Sequence, residues 1–133
     1  MPGGGVALLH AQGPVADLID TLDDDERTGA RIVHRALEEP MRQIAANAGA
    51  DGSIVVNNVR SQTGPTGFNA LTGEYEDLVQ AGIVDPAMVT RSALQNAASI
   101  GSLVVTTDVV VAEPAEGLGA AAVMRAGMNM DVM

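Results

Sequence analysis

From residue 30 to residue 48 the apolar positions Ala30, Val33, Leu37, Met41, Ile44 and Ala48 recur at spacings of three and four. That period places them on one face of a helix. Arg27, Arg31, Arg35 and Arg42 lie off that face, and Glu38 precedes Arg42 by four residues, the favourable order for a helical ion pair. Pro40 interrupts the run. Proline lacks an amide hydrogen and clashes with the preceding turn, so the pattern predicts two abutting helices, with Pro40 near the first turn of the second. Asp23 to Asp25 supply a candidate N-cap and first-turn acids for the first helix, and Gly49 ends the second.

Elsewhere the pattern is shorter. Val6, Ala7, Leu8 and Leu9 read as a short helix leaving the Gly3–Gly5 run, and Gly13-Pro14 interrupts it. "SIVVNNVRS" is ambiguous: its Val/Ile content reads as strand, while Ser53 as an N-cap reads as a two-turn helix, the reading we favour; "QTGPTGFNALTG" reads as a loop and "EYEDLVQAG" as a short helix closing on Gly82. Asp85-Pro86 resembles an N-cap with proline at the first helical position. The helix it opens has only a narrow polar stripe (Ser92, Gln95, Asn96, Ser99), which predicts burial within a larger body. Leu103 to Ala112 is β-branched and apolar and reads as a strand. No equally good strand pairs with it, so its partner is expected from another chain or from further sequence. Residues 115–133 lack a period and are expected to form a flexible Gly/Ala/Met tail behind a domain spanning 1–114.

Composition narrows the chemistry. The chain has 133 residues, the length of one ordinary domain, with one Phe, one Tyr and no Trp. Ala, Val, Leu, Ile and Met must fill the core, which predicts modest stability or reliance on a partner surface. The formal net charge is -10, and every basic residue is Arg. Such a chain repels phosphate backbones, so no nucleic-acid partner is expected, although a single nucleotide is not excluded. Cysteine is absent, which suits a reducing, cytoplasmic setting. The start lacks a basic signal region, and no run approaches the roughly 20 apolar residues of a membrane span, so a soluble protein is expected. His10 and His34 have no carboxylates at ligand spacing, and the run Asp23 to Glu26 lacks the alternation and glycine of a calcium loop. No Ser/His/Asp set has a nucleophile-elbow context. Three glycines at the start and an unpaired strand both suggest part of a longer protein.

"PGGGVALL", "ALEEPMRQIAANAG" and "GFNALTGEYEDLVQAGIVDPAMVTRSALQNAAS", followed by "LVVTTDVVVAEP" and a Gly/Met tail, resemble the group I chaperonins, the 60 kDa ring chaperonins. The segments agree in sequence, order and spacing over nearly the whole chain. They correspond to about the last quarter of a subunit, the C-terminal half of the equatorial, ATP-binding and ring-forming domain. The resemblance implies a mainly α fold, a helical bundle with a small β element and a C-terminal strand shared with a neighbouring subunit.

It also implies roles. Gly4, the middle glycine, would lie against the nucleotide; Asn69 and Ala70 would flank the adenine; Ile83 would touch the base; Asp85 would accept hydrogen bonds from the ribose. From the residues alone Asp85 is a helix cap, Asn69 a turn residue and the glycine triplet a weak phosphate-loop signal. The family uses ATP and magnesium, but its phosphate loop, metal-binding aspartate, second catalytic aspartate and apical domain have no counterpart here. Other chaperonin subunits are the expected partners; unfolded clients and the co-chaperonin belong to the full-length relative. Leu71 departs from the commoner small or polar residue after the Asn-Ala pair, and the tail has single glycines between its methionines. The expected function is an equatorial segment of an ATP-dependent folding machine, with little or no ATPase activity alone. The alternative is a stand-alone helical module that oligomerises through its C-terminal strand.

Overall fold

Pro40 divides the long helical run as its chemistry requires. In the computed structural model, which describes residues 1–109 and 111, α3 covers Asp24–Ala36 and α4 covers Glu39–Asn47, with Pro40 in the first turn of α4. There its missing N–H is one the helix does not use. Before them come α1 (Val6–His10) and α2 (Gln12–Ile19). Gly13-Pro14 does not break the chain between helices as expected; it sits in the first turn of α2, where proline is equally tolerated.

The segment "SIVVNNVRS" is helical, within α5 (Gly52–Arg60), but its cap is Asp51 rather than Ser53. The Asp51 carboxylate accepts from the Ser53 and Ile54 amides at 2.7 and 3.1 Å. A carboxylate at this place satisfies orphan amides and meets the positive end of the helix dipole.

The loop and short helix expected over residues 62–82 are corrected. Thr66–Asn69 and Glu74–Asp77 form an antiparallel hairpin, β1 and β2, in which Phe68 lies opposite Tyr75. Their ring centroids are 5.6 Å apart and tilted, the cross-strand aromatic pairing that stabilises a short ladder. Gly73 takes φ 79° at the end of the connecting loop, a conformation glycine adopts without steric cost. Among the described residues the protein is thus mainly α with one small two-stranded sheet.

The chain divides into two units, Met1–Leu94 and Gln95–Met133. The core of the first gathers Val6 and Leu9 of α1, Met41 and Ala45 of α4, Val55, Val56 and Val59 of α5, Phe68 of β1 and Leu78. It is aliphatic apart from one ring, as the composition predicts. The periodic stripe of residues 30–48 enters it only in part. Leu37 and Met41 are buried, but Val33 is half exposed and α3 buries no residue.

The last helix among the described residues, α6, covers Ala87–Val105, and none of its residues is buried. Its extent corrects the expected strand from Leu103: residues Leu103–Val105 are helical, and Thr106–Val109 form no strand. A strand without a ladder leaves its backbone groups unpaired, whereas a helix satisfies them internally. Ala112 and the tail at 115–133 lie outside the described residues. No helix among the described residues is long and apolar enough to cross a membrane.

Candidate functional site

The glycine run is a built turn. Gly4 and Gly5 have φ 65° and 81°, and Gly5 is the N-cap of α1. At Gly3 a Cβ would meet the Ile83 carbonyl oxygen at 3.1 Å; at Gly4 it would meet Leu78 Cδ1 at 3.3 Å; at Gly5 it would meet the Met41 amide nitrogen at 3.0 Å. Positive φ favours glycine at Gly4 and Gly5, and at Gly3 and Gly5 a Cβ would crowd backbone atoms of the fold.

Backbone pairing joins this turn to the segment after β2. The Gly3 amide donates to the Ile83 carbonyl at 3.0 Å, Pro2 bridges Val84, and the Asp85 amide donates to the Met1 carbonyl at 3.1 Å. Ile83 is partly buried against the core, and its amide donates to the Leu78 carbonyl at 2.7 Å. Asp85 is exposed, and among the described residues its carboxylate accepts no hydrogen bond. It is not the cap expected for α6. The Val89 and Thr90 amides donate to the Pro86 carbonyl, so Pro86 is the N-cap, one residue later than the sequence suggests. The Asp85 carboxylate is thus available to an external donor.

Asn69 ends β1. Its side-chain amide donates to Glu76 at 2.6 Å, and its Oδ1 accepts from the Leu71 amide at 2.9 Å, an Asx turn that shapes the hairpin loop. Both side-chain groups are committed to the hairpin, so the turn-residue reading describes what Asn69 does here. Ala70 follows it and is exposed. The Phe68 carbonyl lies 3.6 Å from the Cβ position at Gly4, which links this strand to the glycine turn. Gly4, Ile83 and Asp85 are thereby brought together through backbone contacts, with Asn69 and Ala70 attached through β1.

A separate polar centre escaped the sequence reading. Glu38, at the N-cap of α4, has a side chain only 7% exposed. Arg42 donates to its Oε2 at 2.8 Å, Arg60 to its Oε1 at 2.5 Å and Gln12 to Oε1 at 3.2 Å, while Arg35 pairs with Oε2. Gln12 also donates to the His34 carbonyl at 2.7 Å and accepts from Arg60 at 3.2 Å. Burial pushes the Glu38 carboxyl up, but donation from Arg42, Gln12 and Arg60 outweighs it and holds the pKa at about 2. The Glu38–Arg42 pair was legible from its spacing, whereas Gln12 and Arg60 lie far off in sequence and gave no signal. Gln12, Glu38 and Arg60, with Leu9, His10 and His34, line an open cleft of about 490 Å³ that none of the nucleotide candidates enters.

The described residues thus form a mainly helical body with a small hairpin and a glycine turn tied to the segment behind it. Residues 1–114 match the profile of the TCP-1/cpn60 chaperonin family, and the chain belongs to that family. Among solved structures it is similar to the open-state monomer of a group II chaperonin from Methanococcoides burtonii, with a TM-score of 0.75 and 24% identity over 80% of this chain and 28% of that one. It is also similar to a group III chaperonin in the open state, with a TM-score of 0.76 and 28% identity over 84% of this chain and 24% of that one. The chain spans about a quarter of the length of the chaperonins it matches.

Proposed function

We propose that the chain is a C-terminal equatorial segment of a group I, 60 kDa-type chaperonin that takes part in ATP-dependent protein folding within a ring. On this reading it forms the nucleoside side of the ATP site. The observation that carries the proposal is the pairing of the Gly3–Gly5 turn with Ile83–Asp85, which sets a close backbone approach beside a free, exposed carboxylate. The missing side chains of the turn make room for Ile83, Leu78 and Met41, so what it would offer a ligand is the half-buried main chain at Gly4, while a carboxylate accepts from ribose hydroxyls. On this reading Gly4 lies against the nucleotide, Asn69 and Ala70 sit beside the adenine, Ile83 touches the base and Asp85 accepts from the ribose. ATP with magnesium is the proposed ligand, and the metal would supply charge neutralisation at the phosphates. The resemblance assigns the phosphate and metal ligands to segments outside these 133 residues. Chaperonin subunits are the proposed partners and the cytoplasm the proposed location.

The test is a titration of the purified chain with ATP and magnesium, read by amide chemical shifts and by phosphate release. Weak, millimolar-range shifts at Gly4, Ala70, Ile83 and Asp85 without turnover are expected. Shifts confined to the cleft around His10 and His34, or no shifts up to the solubility limit, would overturn the nucleoside reading; sustained phosphate release would overturn the half-site. The alternative through a C-terminal strand loses its structural support where Leu103–Val105 are helical.

A further inference from the structure

We infer that Gln12 and Glu38 are positioning residues for the Gly3–Gly5 turn: the first turn of α4 grips the α1 strap at both of its ends. The front end is Gly5, whose backbone lies so close to Met41 that a Cβ there would meet the Met41 amide nitrogen at 3.0 Å and its Cβ at 3.1 Å. The back end is Gln12, just past α1, whose amide donates to Glu38 and to the His34 carbonyl. Glu38 is the N-cap of α4 and Met41 lies in its opening turn, so one rigid turn receives both contacts. Between the two ends, Val6 and Leu9 of α1 are buried in the core.

Glu38 is itself fixed from several sides. Arg60 brings in α5, Arg35 brings in α3, and Arg42 closes on Glu38 from the next turn of α4 while also donating to Ser53 at 2.7 Å. Every buried polar side-chain atom among the described residues has a partner. A satisfied, charge-assisted network defines one geometry rather than several. The turn's other face is held by the Gly3 amide on Ile83. The strap therefore transmits the placement of α4 and α5 to the backbone that the proposed nucleoside would approach. This rests on the functional reading only for what the turn faces; the grip itself stands on the contacts.

Gln12→Ala cuts the back end while leaving the three arginines on Glu38. Amide exchange measured by NMR on the full chain separates the outcomes. The Val6 amide, which donates to Gly3, and the Leu9 amide, which donates to Gly5, are expected to exchange about tenfold faster, with Val55 in α5 unchanged. Glu38→Gln, where it folds, is expected to do the same at Val6 and Leu9. Unchanged protection at Val6 and Leu9 in Gln12→Ala overturns the grip, as does an equal loss at Val55, which marks general destabilisation. A parallel ATP titration reads the functional assignment separately. If the wild type binds at Gly4 and Ile83, Gln12→Ala is expected to weaken that binding several-fold, and equal affinity overturns the positioning role. Failure of the wild type to bind removes the nucleoside reading and leaves the exchange result to decide the grip.

Discussion

Burial favours the neutral form of Glu38, yet donation from Arg42, Gln12 and Arg60 brings its pKa from 4.5 down to about 2. A carboxylate whose folded pKa is depressed adds stability that is complete above the unfolded pKa and is lost as pH falls toward the folded one. The window is therefore from about pH 4.5 to about pH 2, and the full contribution is on the order of 3 kcal/mol. Denaturant unfolding of the wild type and Glu38→Gln is expected to differ by about 2–3 kcal/mol at neutral pH, because three guanidinium groups lose their shared acceptor but remain partly hydrated. That difference should shrink as pH drops through the window; a difference independent of pH would refute the assignment. Glycine gives a second contrast at this scale. Gly5→Ala meets both a positive φ and the Met41 backbone, so a loss of at least ~1–2 kcal/mol is expected. Gly29 lies inside α3 with open space around its Cβ position, so Gly29→Ala is expected to stabilise by ~0.5–1 kcal/mol. Thermal melts of the two variants should move in opposite directions. Neither environment is legible locally: the three-glycine string signals a turn, but only Met41, Leu78 and Ile83, brought in by the fold, show what a side chain at each position would crowd.

Elements with a strong period were legible, and those defined by a partner were not. The two helices around Pro40 follow from spacing and proline chemistry, which act within a few residues. The hairpin was missed because Thr66–Asn69 and Glu74–Asp77 are short, carry a glycine or several acids, and owe their register to the Phe68–Tyr75 contact across the loop. "LVVTT" reads as strand from its β-branched content, but with no partner strand its first residues continue α6. Capping shows the ambiguity at its smallest. In "ADGS" both Asp51 and Ser53 are good caps, and choosing between them requires knowing where the helix turns in. The structure assigns the role to Asp51. Asp51→Ala is expected to cost about 1 kcal/mol, within the 0.5–2 range for lost caps. Ser53→Ala, which removes an exposed contact with Arg42, should cost a few tenths at most. Equal effects in chemical denaturation would return the cap to Ser53. Within the candidate site, the close pairing of Gly3 with Ile83 spans most of the chain and has no local signature: the glycine run stands out by itself, whereas only the resemblance points to Ile83.

At the scale of the molecule, two forces oppose each other. The chain spans about a quarter of the chaperonins it matches, and α6 leaves Met88, Val89, Ile100, Leu103 and Val104 more than half exposed. Apolar surface repeated along one helix favours association with another surface, as expected in a family that assembles from subunits. Against this stands a net charge of -10, which makes two copies repel each other. Salt acts on the two terms unequally. At about 0.1 M ionic strength the screening length is about 10 Å, and it shortens as salt rises, so the repulsion fades while the apolar attraction persists. Sedimentation of the chain is therefore expected to show more association at ~0.5 M sodium chloride than at ~0.05 M. Ile100→Glu with Leu103→Glu adds charge and removes apolar area on α6, and it should lower association at both concentrations. Monomers at every salt concentration would show that the exposed residues of α6 do not drive contact between copies. Association that weakens with salt would point instead to pairing of the Arg-bearing helices α3 and α4 with acidic surface, since that attraction is screened while hydrophobic contact is not.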